Sequence, residues 1–296
     1  MLRKIKYILT LSSIIWSIQA YSTTYTVTNT KNSGGGSFRQ AIIDANANAG
    51  ADIINFSIAG SGQHIITLTA VLPDITDNSG VTINGYSQSG ASVNTVDIFS
   101  ISAATPLNSV INIILRGNDS FPCLTLLSDN NAVSGIIFQN FGNSVNTNPK
   151  TDFDIGIDGD DNLVTGCWFE VNAAGTAYIK QIASPAVDNV VNNCIALGLI
   201  SGNTSNRNRI GDATAAGINW LSGAGGGLIT SSAGIQLAKC HNTVVQGNLI
   251  GPTKDGQNTF YVQSIGIFMA GGYKTTTTIG GSNAGEGNVC SGNIDF

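Results

Sequence analysis

Along much of the chain an asparagine is followed by two residues, mostly apolar, then a polar or glycine pair, then two or three apolar residues. The pattern reads Asn131-Ala-Val-Ser-Gly-Ile-Ile-Phe138, Asn162-Leu-Val-Thr-Gly-Cys-Trp-Phe169 and Asn189-Val-Val-Asn-Asn-Cys-Ile-Ala196. A variant, Asn242-Thr-Val-Val-Gln-Gly-Asn-Leu-Ile250, follows about two periods later. Short apolar runs with glycine-rich turns, recurring at roughly 25 to 35 residues, describe one supersecondary unit stacked many times. Further strands are predicted at Thr24–Thr28, Ile53–Ile58, Ile65–Leu68, Val81–Ile83 and Val110–Leu115, with turn-forming stretches such as Asp77-Asn-Ser-Gly80 between them. Strands without intervening helices favour an all-β parallel β-helix, its apolar residues stacking inward about 4.8 Å apart.

One helix is predicted, and it lies ahead of the repeats. Ser37 and Gln40 have capping-box spacing, and Phe38, Ala41, Ile42 and Ala45 share one face. The helix is expected to stop near Asn48-Ala-Gly50 and to cover the first coil, shielding an open end of the core. The organisation is therefore a signal peptide over 1–20, a strand and cap helix over 21–50, and coils over 51–296. The last unit, Thr275 to Asn293, is followed by only three residues. Since an open coil end should be covered, a truncated C-terminus or a protecting partner is expected.

Composition narrows the setting. Charged residues make up 10% of the 296 positions, well below the roughly 25% of ordinary domains, and 36 glycines serve the turns. A formal charge of −5, with no basic run beyond the N-terminus, argues against a nucleic-acid partner. Arg3, Lys4 and Lys6, the apolar stretch Ile8–Ile18 and then Ala20 have the layout of a secretory signal peptide. The protein is thus expected to be exported, extracellular or at the cell surface, with no integral membrane span in the mature chain. Cys123, Cys167, Cys194, Cys240 and Cys290 form no zinc pattern. Cys167 and Cys194 hold equivalent places in the repeat and read as small core residues rather than a bridge.

Three segments carry a wider likeness: Tyr25–Thr30 through Gly36-Ser-Phe-Arg-Gln-Ala-Ile42; Val81-Thr-Ile-Asn-Gly85 with Ser87-Gln88; and Asn242–Gly251 with Asp255-Gly256, Ile279-Gly-Gly281 and Gly287-Asn-Val289. They resemble a family of exported bacterial right-handed parallel β-helix repeat proteins with a pectin-lyase-like solenoid. Phe38 stands where the family typically has Leu. The resemblance implies a single-stranded right-handed β-helix, and it implies little about function, because folds host many functions.

The candidate chemistry centres on Thr151-Asp-Phe-Asp-Ile-Gly-Ile-Asp-Gly-Asp-Asp-Asn162. On a strand, Phe153, Ile155 and Ile157 face the core while Asp152, Asp154 and Asp158 share the outer face. Three readings are open: a hydrated Asp/Gly/Asn turn, a calcium site using Asp154, Asp158, Asp160 and Asp161, or an acid–base pair drawn from Asp152, Asp154 and Asp158 for a polysaccharide lyase or glycoside hydrolase. The Gly-His-Gly and Arg-x-Lys elements of hydrolases with this fold are missing, His64 and His241 each stand alone, and Lys150 and Lys180 have no telling context. The leading expectation is therefore a non-enzymatic, adhesin-like or stalk-like protein. Faces rich in Asn, Thr and Ser would bind polysaccharide or a surface protein, with Trp220, Tyr261 and Tyr273 as stacking platforms. No cofactor is expected beyond the calcium alternative.

Overall fold

The computed structural model describes residues 21–118, 120–143, 153–179, 193–198, 204–222, 233–259, 265–269 and 276–293. The described residues are all-β with one α-helix and form no closed barrel. Three large sheets, all parallel, take strands in turn as the chain advances. The first has eight strands: Thr24–Val27, Asp52–Phe56, Val81–Asn84, Ala132–Ser134, Leu163–Thr165, Arg209–Ile210, Val244–Val245 and Thr278–Ile279. The second has seven, from His64–Thr67 through Ile113–Arg116, Ile136–Gln139, Trp168–Phe169, Asn219–Leu221 and Asn248–Ile250 to Val289–Cys290. The third has five: Leu124–Leu126, Phe153–Ile157, Asn193–Leu197, Ala233–Leu237 and Ile265–Met269. One strand of each sheet makes a circuit, an arrangement consistent with a solenoid.

Register converts alternation into continuous columns of side chains. In the first sheet Ile54, Ile83, Val133, Val164, Ile210 and Val245 lie on successive rungs. The second sheet contributes Ile66, Leu115, Phe138, Phe169, Leu221 and Ile250. Leu124, Ile155, Ile195 and Ile235 come from the third. All belong to one buried apolar cluster. Stacked like residues pack at rung spacing without steps in volume, and Phe138 and Phe169 lie nearly parallel, 5.1 Å apart.

Polar stacks close the corners. The Oδ1 of Asn162 accepts from the backbone N–H of Asn131 at 2.9 Å, and the Oδ1 of Asn208 accepts from that of Asn162 at 2.8 Å. A second stack joins Asn219, Asn248 and Asn288. Asn189 lies outside the described residues, and the asparagine that succeeds Asn162 is Asn208. The equivalence of Cys167 with Cys194 is likewise corrected. Cys167 precedes Trp168, the partner of Ile137, so it follows Ile136 in the second sheet. Cys194 lies in the third sheet, opposite Asp154. Cys123, Cys167, Cys194 and Cys240 are buried and Cys290 is exposed.

The helix spans Phe38–Ala47, with Ser37 as N-cap accepting from the N–H of Gln40, and buries Phe38, Ala41, Ile42 and Ala45. Its capping box is one-sided, because the Gln40 side chain donates to Asp44 at 2.8 Å. Phe38 sits 5.5 Å from Phe56, placing the helix over the first coil. No described helix is long and apolar enough to cross a membrane.

Candidate recognition face

The three sheets differ in what covers their outer surfaces. In the second sheet the outward column is Ile114, Ile137, Trp168, Trp220 and Leu249, and all five are buried. Residues 85–112 supply part of their cover: Ile98, Leu107 and Ile111 join the same cluster, with Tyr86 and Ile101 packed against it, and Val171 and Ile218 complete it. The expectation that Trp220 is an exposed platform is therefore corrected. It is 0% exposed, meets Trp168 edge to face at 5.2 Å, and donates from Nε1 to the carbonyl of Pro252 at 2.8 Å. Tyr261 and Tyr273 lie outside the described residues.

The third sheet is also closed. Asp154 faces away from Ile155 and Ile157, as alternation predicts, yet it is fully buried, and Asp158, just beyond the strand end, is 7% exposed. An open outer row of carboxylates is thus not what forms here, since burial removes both from bulk water. Asp152, Lys150 and Lys180 lie outside the described residues.

The rest of the acidic segment becomes a corner. Asp160 accepts from the backbone N–H of Asn206 at 2.8 Å, and its own N–H donates to Asp129 at 2.7 Å. Asp161 takes two hydrogen bonds from Arg207, at 2.8 Å from Nε and 2.6 Å from a terminal nitrogen. This arginine contact, chiefly its hydrogen bond, holds the Asp161 carboxyl below the usual carboxylate range. Backbone geometry explains the composition: Asn130, Asp161, Arg207, Asn242 and Thr276 all adopt positive φ, between 50° and 60°, continuing a column begun by Gly80. Asn and Asp tolerate this conformation best, which is why turn residues gather here. Among the described residues no three His, Cys, Asp or Glu side chains are grouped to hold a metal ion, so Asp154, Asp158, Asp160 and Asp161 do not converge.

What remains open is the first sheet. Its outward column runs Thr26, Asn55, Asn84, Ser134 and Thr165 on successive rungs, none of them buried. The neighbouring column runs Thr24, Ile53, Thr82, Ala132, Leu163, Arg209, Val244 and Thr278, its polar members exposed and its four apolar members half-buried. Beside this sheet stand the stacked corners, with Asp129, Asn130, Asp161, Arg207 and Asn242 exposed. The result is a line of hydroxyls and amides at strand spacing, flanked by a column of mixed polar and apolar residues and edged by corner acids and Arg207. Alternation marked these residues as outward, but only the burial of the other two outer faces singles this sheet out. No protein-family model matches the chain, and no curated protein matches it.

Proposed function

We propose that this chain is an exported, single-stranded right-handed parallel β-helix, of the pectin-lyase-like kind, that recognises glycan without transforming it. The reading rests on the open outer face of the first sheet. Five rungs there present Thr, Asn, Asn, Ser and Thr in one line. Strand pairing fixes their spacing, so many weak hydrogen bonds to a polyhydroxylated chain form at little ordering cost. The circuit through three parallel sheets supports the solenoid, and the chiral preference of parallel crossovers supports its right hand. The corner acids favour binding over catalysis, because Asp160 and Asp161 are already engaged by Asn206 and Arg207. Export follows from the layout of residues 1–20.

The test is affinity electrophoresis of residues 21–296 through gels containing neutral or acidic polysaccharides, with products analysed by mass spectrometry. Retardation on at least one glycan, lost in Asn84→Ala/Ser134→Ala but kept in an Arg207→Ala control, is the expected result. Equal mobility in every gel refutes glycan recognition and leaves a surface protein as ligand. Release of oligosaccharides refutes the non-enzymatic reading.

A further inference from the structure

Between the strands Val81–Asn84 and Ile113–Arg116 the chain spends residues 85–112, whereas in the next circuit Gly135 alone separates Ala132–Ser134 from Ile136–Gln139. The long connection does not project into solvent. It runs along the outer face of the second sheet, crossing circuits far from its own. Tyr86 donates from its hydroxyl to the carbonyl of Gly166 at 2.8 Å. Asn94 donates from Nδ2 to the carbonyl of Ala215 at 2.9 Å, 121 residues away. The N–H of Leu107 donates to the carbonyl of Lys254 at 2.9 Å. Phe99 lies so close to Gly287 that a Cβ there would fall 2.3 Å from the ring. From the rung of Ile113 to that of Val289 is five steps, roughly 24 Å at about 4.8 Å each.

We infer that residues 85–112 form an axial clasp that makes the fourth to sixth rungs of the second sheet open together with it, rather than one at a time. In a plain stack each circuit touches only its neighbours, so opening spreads inward from an end, one interface at a time. Here Trp168, Trp220 and Leu249 occupy three successive rungs, and all are buried in one cluster with Ile98, Leu107 and Ile111. Lifting the clasp from one rung uncovers its neighbours' apolar surface, and separating two rungs shears the clasp lying across both. The two processes share one barrier. This inference does not depend on the glycan reading, since it concerns a different face.

Native-state hydrogen exchange of residues 21–296 tests it at three amides: Leu107 in the clasp, Trp220, which donates to Cys167 O, and Gly251, which donates to Leu221 O. The expected result is protection factors that agree within about threefold and fall together, by roughly a hundredfold, in Leu107→Ala. The amides of Ile53 and Ser57, in the first circuits, keep theirs. Asn94→Ala, which removes side-chain hydrogen bonds and leaves the apolar cluster intact, gives the same pattern at smaller amplitude and covers the case in which Leu107→Ala fails to fold. Rapid exchange at Leu107 beside protected Trp220 and Gly251 overturns the inference, because the connection then opens independently. A uniform fall at all five amides overturns it too, because the whole chain then opens as one.

Discussion

Replacing Asn219 with alanine removes a corner asparagine whose polar atoms are all engaged in a site closed to water. Its Oδ1 accepts from the N–H of Cys167 at 3.0 Å, and its Nδ2 donates to the carbonyl of Val164 at 2.9 Å and to the Oδ1 of Asn248 at 3.0 Å. Asn219, Asn248, Cys167 and Val164 are all 0% exposed. The carbonyl of Val164 keeps a second donor, the N–H of Gly211 at 2.7 Å, so its loss is small. The N–H of Cys167 has no such reserve and is left buried without an acceptor, at a cost of about 1–3 kcal/mol. The bond to Asn248 adds about 0.5–1.5 kcal/mol and that to Val164 little, giving roughly 1.5–5 kcal/mol in all. Urea unfolding followed by far-ultraviolet circular dichroism reads this as a lower midpoint at unchanged slope. Asn219→Asp provides a second check. It keeps an acceptor for Cys167 but turns an oxygen toward Val164 O and Asn248 Oδ1, so at neutral pH it destabilises at least as much as alanine. A loss below about 1 kcal/mol for Asn219→Ala would refute the argument that the asparagine stack carries buried backbone donors.

Two other expectations concern the core and the corner. Phe169→Ala, which removes a fully buried ring stacked on Phe138, lowers stability by about 3–5 kcal/mol, and Phe169→Leu loses visibly less, as the same urea titration shows. The Asp161 carboxyl, held low by Arg207, contributes stability that is present above its unfolded pKa and is lost as pH falls through the lower folded value. Carbon NMR titration of that carboxyl gives a midpoint below 3.8 in the native chain and one near it in Arg207→Ala, and identical midpoints would remove the ion pair from the account.

The cap helix was legible because every signal is local. Ser37, Gln40 and the face of Phe38, Ala41, Ile42 and Ala45 lie within one short segment, and the observed helix uses them, with only the reciprocal Gln40 bond missing. The inner columns were legible for the same reason, since strand alternation puts Ile155 and Ile157 on one side whatever the rest of the chain does. The step from Asn131 to Asn162 is 31 residues and was read correctly, but that from Asn162 to Asn208 is 46. Loop length varies freely between circuits while the rungs stay fixed, so spacing alone passed to Asn189 and misplaced Cys194.

For Asp154 and Trp220 the sequence determined the direction of the side chain and the tertiary structure decided its surroundings. Alternation says which residues leave the inner core, and it carries no information about what lies beyond them. Trp220 is buried in one cluster with Ile98 and Leu107, from a connection that departs more than 100 positions earlier, and against Gly175 and Pro252, neighbours that no local pattern encodes. The outer face of the first sheet mixes a Thr, Asn and Ser column with only scattered apolar residues, Ile53, Ala132, Leu163 and Val244, all half-buried, so it offers no continuous apolar column to bury. The hydrophobic column on the second sheet is closed by apolar residues of 85–112 together with Val171 and Ile218, for the converse reason.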